Sequence, residues 1–161
     1  MTSSIDELRP IVAQAREESA PVRPPAALGD PWPWDYLDRA AVLARHANQV
    51  LDLTTGTGEG LGGVLDSEDV DVFAVAADRR ARHLAEVREN LGPRAQLLRA
   101  SPEHIPFRDA SFDLVLLRHR PYDVRQLSEL VAPGGAILTE QIHVKNWHEL
   151  RGYFPRIEER V

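Results

Sequence analysis

An acid followed by spaced glycines is the first feature of the chain that could do chemistry. An apolar run ends at Asp52, and the chain then passes through Gly56 and Gly58 toward a segment with helical spacing. Glycine lets the backbone approach a ligand without a Cβ clash, and a helix start presents unpaired N–H groups and the positive end of its dipole. The pattern predicts a turn that binds a nucleotide carrying a negative group. The alternative is a glycine-rich turn that binds nothing.

A second acid stands at the end of a second apolar run. Asp78 follows residues 70–77 and lies 20 residues beyond Gly58. In a doubly wound sheet, an acid at this position can accept hydrogen bonds from both ribose hydroxyls of a nucleotide. Two alternatives stay open: Asp78 caps the following helix, or Arg79 and Arg80 favour a ribose 2′-phosphate.

The glycines also spell a dinucleotide-binding fingerprint, G-x-G-x-x-G, from Gly58 to Gly63. In dinucleotide-binding folds this fingerprint opens directly at the strand end. Here it begins six residues after Asp52, inside the expected helix. We therefore favour a different nucleotide cofactor.

Basic residues follow the fourth predicted strand, at the sheet edge where ligands of open α/β sheets collect. They include Arg118 and His119. Histidine can act as a general base near neutral pH, so His119 is the candidate catalytic residue. The alternative is a histidine that hydrogen-bonds to the backbone at a strand end. The five other histidines lack metal-ligand spacing, and we predict no metal site.

These candidates need a scaffold that brings strand ends together. Strands that alternate with helices predict an α/β fold, a Rossmann-like doubly wound sheet that is mainly parallel and covered on both faces. Residues 1–33 are expected to form a helical arm and a proline-rich segment, and residues 34–161 the main domain of a single globular protein. The predicted strands are at about 49–53, 70–77, 95–99, 112–117 and 136–142, and the predicted helices are at about 5–18, 34–46 and 80–91.

Composition excludes several classes of protein. The chain has 161 residues, no cysteine, and 19 basic against 25 acidic residues, for a formal net charge of -6. The missing cysteines remove disulfide and thiolate chemistry, and the acidic balance argues against a nucleic-acid-binding surface. No apolar run approaches the ~18 residues of a membrane span, and the first six residues lack the pattern of a signal peptide. We expect a cytoplasmic protein without nucleic-acid or membrane partners.

Several motifs resemble those of class I S-adenosylmethionine-dependent methyltransferases. The glycine turn is similar to the family's first motif, D/E-x-G-x-G-x-G, with Thr54 in place of the first glycine. Residues 100–115 resemble the stretch that reads roughly G-D-A-x-x-L-P-F-x-D-x-S-F-D-x-V, and Ser101 takes the position of its acid. The turn at 133–135 resembles the family's L-x-P-G-G. The runs at 33–36 and 118–123 are similar to P-W-x-Y and R-H-x-x-Y-D in a type 11-like group of actinobacterial proteins.

The resemblance implies S-adenosylmethionine as the cofactor and methyl transfer to a small molecule as the activity. One alternative is a degenerate domain that binds the cofactor or its product without turnover, or that serves as an interaction partner. Another is an enzyme that uses the scaffold for a different reaction, such as a cyclisation. The implied cofactor-binding residues are Asp52, Thr54, Thr55, Gly56, Gly58, Asp78 and Arg118, with Ser101, Glu103 and Ile105 at adenine, Trp34 and Tyr36 closing over the cofactor, and His119 facing the acceptor.

The family's sheet usually has seven strands, the last two of which form a hairpin. After the predicted strand at 136–142, the sequence leaves room for one helix at about 146–160. We therefore expect a C-terminally short member with strand order 3-2-1-4-5 and without that hairpin. The fifth strand would be an apolar edge, and proteins seldom leave such an edge bare. We expect the C-terminal segment to cover it or a second copy to pair with it in a homodimer.

Overall fold

The computed structural model describes residues 34–142, which belong to the second of the chain's two compact units, Trp34–Val161. The predicted helices at 5–18 and 146–160 and the proline-rich segment lie outside the described residues. Within residues 34–142, no helix is long and apolar enough to cross a membrane. The cytoplasmic location stays a prediction.

Helices and strands alternate along most of the described chain, as the sequence predicts, except that no helix lies between the third and the fourth strand. In chain order, the elements are helix α1 (Tyr36–Ala44), strand β1 (Gln49–Asp52), helix α2 (Glu59–Leu65), strand β2 (Phe73–Ala77), helix α3 (Ala81–Leu91), a short 3-10 helix (Gly92–Arg94), strand β3 (Ala95–Leu98), strand β4 (Phe112–Arg118), helix α4 (Val124–Leu130) and strand β5 (Val131–Glu140).

The five strands form one parallel sheet with the order β3-β2-β1-β4-β5. This confirms the predicted doubly wound α/β fold and its strand order. Because parallel strands end at the same edge, Asp52, Asp78 and Arg118 all lie at or just beyond the carboxyl edge of the sheet. Asp52 pairs with Ala76 on one side and Leu116 on the other, which sets the register of this edge.

Successive residues of the central strands are buried on opposite faces of the sheet. On one face, Leu51 packs in a cluster with Leu127 of α4. On the other face, Val50 and Leu114 pack with Ala40 of α1. Full burial of such a side chain contributes about 1.5–3 kcal/mol. The central strands are therefore held firmly in register, and their ends give the site a rigid base.

The second strand begins later than predicted. It starts at Phe73 rather than at residue 70, because the chain is still completing a turn after α2. In that turn Asp69 adopts a left-handed backbone with a φ of +62°, and the Val70 N–H donates to the Ser67 carbonyl at 3.3 Å. Residues in such a turn cannot enter the strand ladder.

The fifth strand begins earlier than predicted and contains a bulge. It starts at Val131, and its register with β4 shifts near its beginning. The predicted turn at 133–135 therefore lies inside the strand, where Gly134 has a φ of +85°. A Cβ on Gly135 would lie 2.7 Å from the carbonyl oxygen of Asp113, so the close approach of β4 and β5 requires glycine here.

Within the described residues, β5 is an edge strand that pairs with β4. Ile137 on this strand is 36% exposed. The C-terminal segment expected to cover the strand lies outside the described residues, and the homodimer stays a prediction.

Candidate functional site

The turn between β1 and α2 uses its two left-handed glycines differently. Gly56 has a φ of +58°, and a Cβ there would meet no atom within 4 Å. Gly58 has a φ of +85°, and a Cβ there would lie 3.2 Å from Val87 of α3. Left-handed backbone favours glycine at both positions. Of the two, Gly56 leaves space for a ligand, whereas Gly58 lets the turn pack on α3.

The later glycines of the G-x-G-x-x-G pattern lie within α2. Between them stands Gly62, at a position that the pattern leaves open; a Cβ on it would lie 3.0 Å from Leu91, so this glycine allows α2 to pack closely on α3. A Cβ on Gly60 would come within 3.6 Å of Leu37 in α1. The later part of the pattern therefore lies inside a helix that packs on α1 and α3 and not at the strand end, which disfavours the dinucleotide alternative.

Thr54, which replaces the first glycine of the motif, ties the turn to β4. Its hydroxyl accepts a hydrogen bond from the Arg118 N–H at 3.2 Å and lies 3.1 Å from the Arg118 carbonyl oxygen, to which it donates. This contact continues the pairing of the two strands beyond the hydrogen bond from the Leu53 N–H to the Leu116 carbonyl. The threonine therefore positions Arg118 at the end of its strand.

Asp52 carries a carboxyl group with an unusual affinity for protons. Burial raises its pKa to about 6, and the neighbouring charge of Asp78 adds to the rise. The Thr55 hydroxyl, the Thr54 N–H and the Arg118 guanidinium oppose it. A nearby positive charge favours the ionised form of such a carboxyl group. Asp52 is therefore suited to pair with a positively charged part of a ligand.

Thr55 is a buried polar residue, 8% exposed. Its Oγ1 lies close enough to Asp52 to oppose the rise in its pKa, yet it makes no hydrogen bond of good geometry within the part of the chain that the structure describes. Buried hydroxyls are normally hydrogen-bonded. This atom is therefore a candidate contact for a ligand.

A cavity of about 220 Å³ opens beside the turn. It lies between α1, α2 and the carboxyl ends of β1 and β4. Leu61 and Val64 of α2 form an apolar part of its wall. The cavity brings together side chains that are far apart in the sequence, which is the arrangement expected of a ligand site. The sequence-predicted site residues that line it are Tyr36, Asp52, Thr54, Thr55, Arg118 and His119.

Arg118 lies at the centre of a charged and aromatic cluster on one side of the cavity. Its guanidinium is 4.8 Å from the centroid of the Tyr36 ring, within range of a cation–π interaction. Its Nε and Nη2 donate to Oε2 of Glu140 at 2.7 and 2.6 Å. Burial, reinforced by the charge of Asp52, raises the pKa of Tyr36, and the hydroxyl donates to the Leu138 carbonyl at 3.2 Å. The phenol is therefore protonated at neutral pH.

Glu140 is a site residue that sequence analysis did not identify. It pairs with Arg118 in the register of β4 and β5. No family motif reaches it, and the signal that could have found it is the pairing of an acid with a base at the ends of two neighbouring strands. Finding that pair requires the register between β4 and β5. The bulge in β5 changes this register and was not expected from the sequence.

His119 combines a strained backbone with an accessible ring. Its φ of +54° is uncommon for a residue other than glycine, and such strain often occurs at functional sites. Its backbone N–H donates to the Glu140 carbonyl at 2.8 Å. The alternative drawn from the sequence, a histidine bonded to the backbone at a strand end, is therefore met by the main chain of His119 and not by its ring. The side chain is 45% exposed, and its Nε2 lies 3.6 Å from Oε2 of Glu140. The ring is therefore available to a ligand.

Asp78 makes the helix-start contact that the sequence suggested and is still able to accept further hydrogen bonds. Its Oδ1 accepts from the Arg80 N–H at 2.7 Å, and its Oδ2 lies 3.0 Å from Nδ1 of His83. Burial would raise the pKa of Asp78, but His83 and the N–H groups of Arg80 and Gly56 outweigh it and lower the pKa. Asp78 is thus an ionised acceptor at neutral pH. His83 was missed, because it belongs to no motif.

The residues predicted to hold adenine form a small group beyond β3. The Ser101 hydroxyl lies beside Glu103 and, as the largest cause, lowers its pKa. Ile105 is half-buried and packs against the core cluster that contains Leu51. Trp34 is 46% exposed and is not among the residues that line the cavity. Adenine contact by this group, and closure by Trp34, stay predictions.

Comparison with known proteins places the chain among methyltransferases. Residues 50–135 match the model of a family described as a methyltransferase domain. The malonyl-[acyl-carrier protein] O-methyltransferase of Halorhodospira halophila is 27% identical over 138 residues, which cover 78% of this chain and 45% of that protein. The chain thus spans less than half the length of this curated relative.

Solved structures share the fold at low sequence identity. The S-adenosylmethionine-dependent methyltransferase from Mesorhizobium loti is 19% identical, with a TM-score of 0.56 over 65% of this chain and 51% of that chain. The [4+2]-cyclase SpnF is 16% identical, with a TM-score of 0.54 over 82% of this chain and 55% of that chain. At these identities the likeness concerns the fold alone.

Proposed function

Because the chain belongs to the class I S-adenosylmethionine-dependent methyltransferase family, we propose that it transfers a methyl group from S-adenosylmethionine to a small molecule. The cofactor supplies a methyl group that is already activated on a positively charged sulfur. The protein therefore has mainly to align the donor and the acceptor. The observation that carries the proposal is the cavity at the carboxyl ends of β1 and β4, where the family's first motif meets Arg118 and His119.

The residues of the site fit this cofactor. Gly56 leaves open space in the turn, and the buried Oγ1 of Thr55 lacks a good hydrogen bond among the described residues. Asp52 is suited to positive charge, which the cofactor carries on its sulfur and its amino group. Asp78 is an ionised acceptor of the kind that ribose hydroxyls need. These four residues would hold the cofactor.

We place the acceptor beside His119. Its exposed ring lines the cavity and can take a proton from a hydroxyl or amine acceptor. A carboxylate acceptor would need no base, but its charge would be favoured by a cation such as Arg118. The Halorhodospira relative is an O-methyltransferase of malonyl-acyl-carrier protein, so a malonyl thioester belongs among the acceptors to be tested.

The first test is a calorimetric titration of the full-length chain with S-adenosylmethionine and, separately, with S-adenosylhomocysteine. Binding of both compounds would support the site described above. No heat and no thermal stabilisation at millimolar ligand would refute the proposal, because a ligand that binds the folded state must stabilise it.

Turnover is tested by transfer of a radiolabelled methyl group to a panel of small alcohols, amines, carboxylic acids and a malonyl thioester. His119→Asn is expected to lower transfer to an alcohol or amine by about 100-fold, because it removes the base. Transfer to a carboxylate is expected to change little. Arg120→Gln, beside His119 but outside the cavity lining, is the matched control. An unchanged rate with an amine acceptor would remove His119 from the mechanism.

A second candidate is a domain that binds the cofactor or its product without turnover. It is favoured by Glu140, which neutralises Arg118 and lies close to the His119 ring, so that both acceptor-facing residues are engaged within the chain. In that case the protein would bind S-adenosylhomocysteine but transfer no methyl group to any member of the panel. Glu140→Gln would then not create activity.

A further inference from the structure

A histidine outside every motif contacts the acid that is suited to ribose. His83 lies in the first turn of α3, and its Nδ1 is 3.0 Å from Oδ2 of Asp78. The side chains of His83 and Asp78 are 17% and 12% exposed, so water competes little for this contact. The Arg80 N–H lies 2.7 Å from the other oxygen, Oδ1. Each carboxyl oxygen of Asp78 therefore has a protein donor, and the Gly56 N–H also stabilises the carboxylate charge.

These contacts define what Asp78 can still offer to a ligand. An ionised carboxylate only accepts hydrogen bonds, so Nδ1 of His83 must carry the proton that lies between the two side chains. Each carboxylate oxygen has about two acceptor sites. The contacts from His83 and Arg80 occupy two of these sites, and the Gly56 N–H lies close enough to lower the pKa of the carboxyl group as well. The acceptor sites that are left can take hydrogen bonds from the hydroxyls of a ribose.

We propose that His83 is a positioning residue that holds the carboxylate of Asp78 in the orientation needed to bind the ribose diol of the cofactor. The inference rests on the proposed function, because it takes the cofactor as the ligand. A carboxylate held at Oδ1 alone can turn about its Cβ–Cγ bond. A second contact, at Oδ2, fixes the plane of the group and thereby the direction of the acceptor sites that are left.

The alternative, that His83 only stabilises helix α3, does not account for its contact with Asp78. Positive charge is disfavoured at the N-terminal end of a helix, so a histidine gains nothing from the dipole of α3 at this place. The Arg80 N–H at the helix start is already satisfied by Asp78 itself. The contact of His83 therefore acts on the carboxylate.

The other charged groups near Asp78 do not supply this constraint. Asp52, at the end of β1, repels it, and the Gly56 N–H is a main-chain donor that every His83 variant retains. Arg99, after β3, is directed to the Arg79 carbonyl at 3.3 Å. Among the described residues, His83 is the side-chain donor to Asp78.

The test compares S-adenosylhomocysteine with its 2′-deoxy analogue by calorimetry on the full-length chain. His83→Phe keeps a ring but removes the donor, and His83→Asn restores an N–H near the position of Nδ1. We expect His83→Phe to weaken S-adenosylhomocysteine binding about tenfold and to lose most of the preference for the ribose compound, and His83→Asn to recover it. Arg82→Ala, an exposed residue on the same turn, is the control and should bind as the wild type does.

A double-mutant cycle separates positioning from a general effect on the fold. If His83 acts through Asp78, His83→Phe costs little further affinity once Asp78→Ala is present. Equal losses with and without Asp78→Ala, or wild-type binding by His83→Phe, would overturn the inference and leave the proposed function standing. Failure of the wild type to bind S-adenosylhomocysteine would overturn the proposed function and the inference with it.

Nuclear magnetic resonance of the free protein keeps the test decisive if His83→Phe does not fold. The ring nitrogens of His83 are expected to show a protonated Nδ1 at neutral pH, and Asp78→Asn is expected to shift both signals. Nitrogen signals that are unchanged by Asp78→Asn would show that the two side chains do not interact in solution, which would overturn the inference.

Discussion

The two halves of the sheet's carboxyl edge carry different chemistry. The half formed by β1 and β2 presents two acids, Asp52 and Asp78, around the open backbone of Gly56. The half formed by β4 and β5 presents basic residues, but Arg118 is already paired with Glu140. The first half thus has acceptors left for hydroxyls and positive charge. In the second half, a ligand has to compete with an acid of the chain itself.

The two halves also differ in what holds them together. Asp78 is held by Arg80 and His83, which follow it within five residues. Arg118 is held by Glu140, 22 residues away, and its backbone is bonded to Thr54, 64 residues away. Substitutions in the first half should therefore act mainly on binding, whereas those in the second half should also disturb the junction of strands.

The largest effect is expected from Asp78→Ala, which removes the proposed ribose acceptor from the acidic half. Loss of two hydrogen bonds to a charged group is expected to weaken S-adenosylhomocysteine binding by about 100-fold. Calorimetry measures it. Asp71→Ala alters an exposed acid near the opposite end of β2 and should leave the affinity unchanged. Unchanged affinity in Asp78→Ala would remove this residue from the ribose site.

The pH dependence of stability tests the other acid of that half. Burial raises the pKa of Asp52 from 3.8 to about 6, so the folded protein binds this proton more tightly than the unfolded chain does. The contribution of Asp52 to stability is therefore expected to fall as pH rises from about 4 to about 6. Asp52→Asn should raise the free energy of unfolding by on the order of 2 kcal/mol near neutral pH and much less near pH 4.

Urea unfolding near pH 4 and near pH 7.5 measures this difference, and calorimetry should show weaker cofactor binding by the same variant. Asp71→Asn, which alters an exposed acid before β2, is the control for a general effect of charge. A variant Asp52→Asn that is less stable than the wild type at neutral pH would contradict the prediction.

A pair of glycine substitutions separates packing from ligand access in the turn. Gly58→Ala is expected to lower the free energy of unfolding by about 2 kcal/mol, because it combines a left-handed backbone with contact against Val87. Gly56→Ala should cost about 1 kcal/mol, since only the backbone is strained. Although Gly56→Ala should lose less stability than Gly58→Ala, it should weaken cofactor binding more, because Gly56 faces the open space in the turn. The opposite order of binding losses would assign the ligand side to Gly58.

A smaller effect is expected in the basic half. Glu140→Gln weakens a partly exposed ion pair and should cost about 0.5–1 kcal/mol in urea unfolding. Glu129→Gln breaks the more exposed pair with Arg125 on α4 and should cost less than that. If both changes had equal effects, Glu140 would be an ordinary surface acid and the distinction between the two halves would weaken.

The smallest effect on the site is expected from the predicted homodimer, whose contact would lie on the outer side of the basic half. If β5 pairs with a second copy, light scattering should show a dimer at high concentration, and Ile137→Lys should reduce it, because lysine on an edge strand opposes pairing. Arg125→Lys, at an exposed position of α4, is the control. Monomer alone at high concentration would contradict edge pairing.

Much of the acidic half could be predicted from the sequence. The turn from Asp52 through Gly56 is a local pattern, because an apolar strand, an acid and glycines follow one another directly. Asp78 could be placed because strands that alternate with helices form a parallel sheet, and the carboxyl ends of parallel strands lie at the same edge. His83 could not be chosen among six histidines, because the direction of its side chain depends on how α3 begins.

The sequence by itself determined the class of fold, the strand order and the acids at the carboxyl edge, because these follow from hydrophobic periodicity and from turns made of neighbouring residues. The tertiary structure alone decided that Glu140 neutralises Arg118, that Thr54 bonds to β4, and that Gly58 packs on α3 while Gly56 stays open. The physical reason is that these contacts depend on strand register and helix packing. Both are properties of the whole folded chain, and the bulge in β5 shows how a few residues can change them.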